Sequence, residues 1–551
     1  MNLRIFLLLS LILITVLCQV HFGTIYYDTQ ESKYSYAEKL DIKGLATGFY
    51  EDTIEVDGWY KISLRSNGEH YEGIDDGNRA YAMGLLEGIV SRERILQSYS
   101  NWITMQFPKG IPTEIVTYFK NNLNYINQQI SSNQDSDYWK SISLWYKQIQ
   151  GVADGINREK QSGIDYNALI IYNSQGDVGD LQEIFVKDKH NKPANDHSQF
   201  DHCSGFVKFV DPGKNSKDRF ADDDPDIFSG QATWNTWYSL VRELKHYQHN
   251  FRTVHSGSSL FSGYPGIVAS LDSFYQLDRE RVVLETTFDN FNLSSKENAM
   301  RGFPNYETVF TWARALTCNL IAKNGQDWTD CFKQHNSGTY NCDWLVVDYK
   351  KFFEGSKTDL VWCAEQCTEF VLTMDLTEEL LENGYVASYN IPRFPEVFNS
   401  LGYNTAVKKW GNWFTFDGHP RSKIFARNQS DVYNVQTMKN LMRYNDWQND
   451  PLSDGNAANA ISSRKDLITN AIPIELGGNP WAQKSCFGGL DAKVTSQSNL
   501  LMEHIWAQLG PTHDQQPVFS WSTAPDVCDN IPHEGQPDVF NFDWILWNLS
   551  F

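Results

Sequence analysis

One break in composition divides this chain of 551 residues. The stretch Asp177–Asp201 becomes charged and amide-rich in its second half and carries Pro193, which is the make-up of a loop or linker. Directly after it, Asp201-His202-Cys203-Ser204-Gly205-Phe206-Val207-Lys208-Phe209-Val210 passes into an alternating apolar strand. No other segment reads as equally cleavable. The expected organisation is therefore a fragment 21–202 with a cleavable linker near 180–202, followed by a fragment 203–551 that begins at the thiol. A cysteine at the first residue of a strand, freed by cleavage, carries a thiol nucleophile and an α-amine on one residue. That pairing suits a self-processing amide or ester hydrolase. The competing reading is a buried, inert thiol beside a loop, because free cysteine is among the most buried residue types.

Helical spacing prevails before the linker. Ala80 to Tyr99 repeats Tyr81, Leu85, Ile89 and Ile95, with Gly84 and Gly88 stacked on one side where another element can approach closely. Asp137 to Ile156 is a second amphipathic helix candidate. After the linker the pattern predicts a strand over 205–210, a turn at Asp211-Pro212-Gly213, an acidic loop at Asp222-Asp223-Asp224-Pro225 and a short strand at Ile227-Phe228. A helix is expected over Trp234–His249, with Trp234, Trp237, Val241 and Leu244 on one face. Ile267–Leu277 and Arg281–Phe288 read as strands, Phe303–Ala322 and Thr358–Leu381 as helical, and the tail from Pro511 as irregular. Grouped strands with helices on either side predict an α+β fold of stacked layers.

The N-terminus assigns a compartment. A charged start and an apolar run from Ile5 to Leu17 form a signal peptide over 1–20, short against the ~20 apolar residues of a bilayer span. The mature chain is expected to be soluble and secreted or in the lysosomal lumen. Sequons at Asn292, Asn428 and Asn548 agree with that route. Cys363 and Cys367 have the spacing of a small local disulfide or of half a zinc site, and disulfides suit an oxidising lumen. The net charge of −21 argues against nucleic acid as a partner.

The sequence contains no G-x-S-x-G elbow, no H-E-x-x-H, no P-loop and no G-x-G-x-x-G, so no metal and no cofactor is expected. His504 and His513 are isolated. His202 adjoins the thiol in sequence, but neighbours on a strand face opposite ways. An N-terminal nucleophile needs less. Its α-amine titrates near ~7.7–8 and its thiol near ~8.5, so the site must depress the amine and supply donors for an oxyanion.

An ordered series of segments carries a resemblance. After Cys203-Ser204 come Tyr264-Pro265-Gly266, Leu284-Glu285-Thr286-Thr287, Asn336-Ser337-Gly338-Thr339-Tyr340-Asn341, Val346-Val347-Asp348-Tyr349, Ser388-Tyr389-Asn390-Ile391-Pro392, Pro420-Arg421-Ser422-Lys423-Ile424-Phe425, Met442-Arg443-Tyr444-Asn445 and Ala460-Ile461-Ser462-Ser463-Arg464-Lys465-Asp466-Leu467. The series resembles the phospholipase B-like family, a lysosomal or secreted branch of the N-terminal nucleophile hydrolases. The resemblance implies a four-layer αββα sandwich, a cut just before Cys203, and two fragments that stay associated, with a homodimer as a further expectation. It implies Asn390 as an oxyanion or substrate-orienting donor and Arg421 as the cation near the thiolate and amine. Read locally, Asn390 is a turn residue ahead of Pro392 and Arg421 a structural ion-pair member. One departure stands out. The family commonly has a His where Ser229-Gly230-Gln231-Ala232-Thr233-Trp234 places Gln231, which cannot titrate. Gln231 and Thr233 are then polar contacts of the site. The substrate implied is a phospholipid, or another acylated small molecule, losing its acyl chain during transient contact with a membrane surface. The alternatives are an N-acyl amidase using the same nucleophile and a glycoprotein that turns over weakly or not at all because of Gln231.

Overall fold

The computed structural model describes residues 20–548 apart from 68–69, 72, 186–201, 213–224, 253, 296–297 and 300–301. All but the last residue of the expected signal peptide, the charged part of the linker and most of the acidic loop lie outside the described residues. The chain opens with β1 (Val20–Asp28), β2 (Lys33–Ala37), β3 (Ala46–Asp52) and β4 (Trp59–Ser66). Helices α1 (Asp76–Val90), α2 (Arg92–Gln106), α3 (Asp137–Asn157) and α4 (Gln175–Phe185) precede the linker. Its first residues are thus helix, with Asp177 and Asp180 buried, and loop composition begins only after Phe185.

Beyond the linker come β5 (His202–Val210), β6 (Asp226–Thr236), β7 (Arg242–Gln248), β8 (Ser258–Gly263), β9 (Phe274–Leu277) and β10 (Arg281–Thr287). Helix α5 (Thr311–Ile321) leads to β11 (Cys342–Asp348), β12 (Val361–Gln366), β13 (Val371–Asp375) and β14 (Tyr385–Ser388). Helices α6 (Pro420–Asn428) and α7 (Val435–Met442) come next, then β15 (Phe487–Ser496), β16 (Ile505–Leu509), β17 (Phe519–Ser520), β18 (Val539–Phe540) and β19 (Ile545–Trp547).

Two large sheets result. The wider one runs β13-β12-β11-β10-β9-β8-β7-β4-β3-β1-β2, and the other β14-β5-β6-β15-β16-β19. Residues from both sides of the linker share the wider sheet. They join where β4 pairs in parallel with β7, from Trp59 opposite Arg242 to Arg65 opposite Gln248. A parallel pair needs a long crossover, which the helices and β5–β6 supply. The sheets meet where β10 packs on β5, and Gly205 leaves room there for the Leu284 side chain. Helix α1 lies on β1, β3 and β4, with α3 against α1. A Cβ on Gly84 or Gly88 would strike the Gln148 or Val152 carbonyl of α3, so the expected close approach is made by these glycines. Helix α7 covers β6 and β15, and Met438 and Met442 sit against Gly230.

Four expectations are corrected. Trp234–His249 is not a helix. It is the end of β6, a 3₁₀ turn at Trp237–Ser239, and β7. Both faces of these strands are buried, so apolar residues fall at helical intervals as readily as at strand intervals. Thr358–Leu381 holds β12 and β13, with helix only over Thr377–Asn383. Within Ile267–Leu277 only Phe274–Leu277 is strand. Cys363 and Cys367 do not pair and both are free thiols. They stand four residues apart along β12 and its end, roughly 13 Å at strand rise, whereas a disulfide needs Cα atoms within ~7 Å. The disulfides are Cys318–Cys331 and Cys486–Cys528.

Candidate active site

Cys203 is the second residue of β5 and lies opposite Thr233 of β6. Directly opposed residues share a face, and period-two alternation puts Gln231 on that face too. Asp491 and Lys493 of β15 pair with Thr233 and Gln231 and complete it. This face looks toward the wider sheet, and the thiol is fully buried in it. Lys493 Nζ donates to Thr233 Oγ1 and, at 2.6 Å, to Asp491 Oδ1. Asp491 also accepts from Arg242 Nε at 2.8 Å, and Arg242 reaches Asp272 at 2.7 Å. A chain of two cations and two carboxylates therefore crosses the space between the sheets beside Cys203. Burial pushes the thiol pKa well above its ordinary value. Glu285 and Asp272 add to that, while the Trp234 N–H and Lys493 oppose it. These influences favour the neutral thiol.

Gln231 does not reach the thiol. Its Nε2 lies 2.7 Å from the Asp272 carbonyl, 3.1 Å from that of Ser273 and 2.7 Å from that of Glu285. It ties the turn before β9 to β10. A titratable ring in its place would have to give up part of that clamp.

On the opposite face of β5 stands Arg421. It is the second residue of α6, after Pro420 at the first turn, and the N-cap His419 Nδ1 accepts the Arg421 N–H at 3.0 Å. A cation at a helix N-terminus opposes the macrodipole, so other contacts must hold it. The guanidinium forks. Nη1 donates to Cys203 O at 2.7 Å and Ser204 Oγ at 3.2 Å. Nη2 donates to Tyr389 O at 2.8 Å and Asn390 Oδ1 at 2.6 Å. The Trp234 ring lies 4.4 Å from its centre. Burial presses its pKa down. No carboxylate pairs with Arg421 among the described residues, so it is not the ion-pair member that a local reading of the sequence allows.

Asn390 arrives because β14 pairs with β5, Ser388 opposite Gly205, and the chain turns immediately after. Asn390 takes the left-handed conformation, φ 68°, which Asn tolerates better than most residues. Its Nδ2 donates to Thr287 O at 2.6 Å, and its carbonyl accepts from Tyr403 OH at 2.7 Å. An amide nitrogen has two hydrogens, so one remains uncommitted among the described residues. The structure thus brings Cys203, Thr233, Asn390 and Arg421 together at one end of β5.

Sequence reasoning missed the charged chain around Lys493 and Asp491, and it missed Lys465 and Asp289. Burial lowers the Lys465 pKa to about 7, with Asp289 opposing and Arg421 adding. Burial raises the Asp289 pKa. The signal for the first pair is in β15, where Asp491 and Lys493 alternate with Leu490, Ala492 and Val494 in an otherwise buried strand.

The described residues that could hold a metal are Asp343, Cys363 and Glu365, whose ligand atoms lie within 4.8 Å of one another. Their donors are already in use. The thiol donates to Asp343 at 3.2 Å, and Glu365 accepts the N–H groups of Arg393 and Phe394. Of the sequon residues, Asn548 is exposed and Asn428 half-buried. Asn292 is half-buried, with its Nδ2 on Ser400 O at 2.9 Å and Gly402 packed against it.

A profile of the phospholipase B family matches residues 46–547. Phospholipase B-like protein B of Dictyostelium discoideum is 34% identical over 522 residues, covering 92% of this chain and 86% of that protein. Phospholipase B-like protein C of the same organism is 33% identical over 530 residues, covering 93% and 88%.

Proposed function

This chain belongs to the phospholipase B family, and from that premise we propose that it is an acyl hydrolase of the secreted or lysosomal space. It removes fatty acyl chains from phospholipids, using Cys203 as an N-terminal nucleophile after cleavage of the His202–Cys203 bond. The observation that carries this is the Arg421 fork, which binds the nucleophile's own carbonyl with one arm and orients Asn390 with the other. Such a fork fixes a nucleophile relative to an oxyanion donor, the geometry on which acyl transfer depends.

Cleavage supplies the missing base. The freed α-amine takes the thiol proton and the sulfur attacks the ester carbonyl carbon. The second Nδ2 hydrogen of Asn390 meets the oxyanion, and the alcohol leaves with the proton from the ammonium. Water, deprotonated by the same amine, then hydrolyses the thioester and releases the fatty acid. Lys493 lowers the cost of the thiolate. A four-layer αββα sandwich of the N-terminal nucleophile type accords with α1 on the outer face of the wider sheet, β10 against β5, and α7 outside the second sheet. The fragments stay together after the cut because β4 remains paired with β7.

N-terminal mapping of the purified protein by mass spectrometry tests the proposal. A fragment starting at Cys203 is expected, and Cys203→Ala should give an uncut chain that releases no fatty acid from phosphatidylcholine. Hydrolysis that survives in Cys203→Ala would place the active site elsewhere.

A further inference from the structure

A cavity of about 40 Å³ lies at the nucleophile end of the strands. It borders the site directly. Thr287, whose carbonyl holds Asn390, forms part of its wall, as does Asn235, two residues along β6 from Thr233. The space admits roughly three waters, far too few for a long acyl chain. Its chemistry is one-sided. Asp180 of α4, which accepts the Tyr340 N–H at 2.8 Å, is the one acidic side chain among its described lining residues, and no lysine, arginine or histidine is present there. Gln182 and Thr287 line it too. Gln182 Oε1 and Thr287 Oγ1 are buried and have no hydrogen-bond partner among the described residues. A buried acceptor without a donor costs ~1–3 kcal/mol, so these atoms mark a place for a group that brings N–H donors. Trp102 and Phe288 supply aromatic wall of the kind that favours cations.

We infer that this cavity is a subsite for a small primary ammonium group of the substrate, carried by an ethanolamine headgroup or by an amino-acid amide. The inference rests on the acyl-hydrolase reading above and names part of the substrate. A primary ammonium offers three donors to Asp180, Gln182 and Thr287. A trimethylammonium offers none, and a glycerol headgroup brings no charge.

Calorimetry at pH 8, above the pKa of about 7 to which burial raises Asp180, with the uncut Cys203→Ala protein and with the processed protein tests this without turnover. Phosphoethanolamine is expected to bind at least about tenfold tighter than phosphocholine or glycerol phosphate, and Asp180→Asn to remove the difference. Glycinamide serves as the second arm. If it binds as well, the ammonium alone suffices and an amide substrate fits. If only phosphoethanolamine binds, the lipid headgroup is the source. Equal binding of phosphocholine or glycerol phosphate, or no binding by either amine, overturns the inference. Should Asp180→Asn fail to fold, the wild-type preference for phosphoethanolamine over phosphocholine still decides. Fatty-acid release without headgroup preference would sink the subsite alone, whereas amine binding with no release from any lipid would sink only the hydrolase reading.

Discussion

Replacing Arg421 by lysine keeps the charge and removes the fork. In the native site the guanidinium serves four acceptors on two sides, Cys203 O and Ser204 Oγ on one, Tyr389 O and Asn390 Oδ1 on the other. A single ammonium can sit on one side only. Two buried acceptors are then left without donors, at ~1–3 kcal/mol each, for a loss of about 2–6 kcal/mol. Set against a total stability of ~5–15 kcal/mol, the variant folds but is weakened. Urea denaturation reads this directly, provided the slope is unchanged. Performing it on Cys203→Ala chains separates stability from processing. In chains with Cys203 intact, turnover should fall by about a hundredfold or more, because a displacement near 1 Å costs that much. Asn390→Ala combined with Arg421→Lys should show a coupling of ~0.5–3 kcal/mol, as groups in contact do. An Arg421→Lys protein within ~0.5 kcal/mol of the parent, with effects additive to Asn390→Ala, would refute the claim that one fork holds both partners in place.

Further outcomes can be checked on the same material. Asp180 has its pKa raised from 3.8 to about 7, chiefly by burial, so between those values the fold holds a proton that the unfolded chain releases. Its contribution therefore grows as pH falls from about 7 to 4. The wild-type protein should gain up to about 4 kcal/mol relative to Asp180→Asn over that window, and nothing further above pH ~8; denaturant midpoints that run parallel with pH would contradict this. Gly88→Ala places a methyl against the Val152 carbonyl and Gly155 Cα. The clash, ~3 kcal/mol, outweighs the ~1 kcal/mol that alanine gains in a helix, and the thermal midpoint should drop accordingly. Glycopeptide mapping should find sugar on Asn548 and Asn428 but not on Asn292, whose amide is committed to Ser400. Electrophoresis without reductant should separate the two fragments of the processed protein, since both disulfides lie beyond Cys203.

What the sequence disclosed depended on whether one face of an element was wet. Helix α3 has exposed and half-buried residues at Lys147 and Lys140, and its apolar stripe stands out from Asp137 almost to its last residue. The β6–β7 region has no such contrast. Arg242 and Lys245 are as buried as Leu244, and they read as polar surface only until their partners Asp272, Asp491 and Glu87 are located. None of those partners is near in sequence. The same limit governs the site. Cys203 was legible because its strand comes straight after a linker, a local signal. Arg421 lies 218 positions away and Asn390 31 positions before Arg421, and no periodicity joins them; they came only through the family resemblance. Nor does any local signal show what Gln231 does, since its side chain spans to three carbonyls distant in sequence, those of Asp272, Ser273 and Glu285. Charge buried in strands of period two, as at Asp491 and Lys493, is the signal worth reading first in a chain of this kind. A lone charge in a buried strand is too costly to keep, so alternating ones announce partners across the sheet, and here those partners lie beside Cys203.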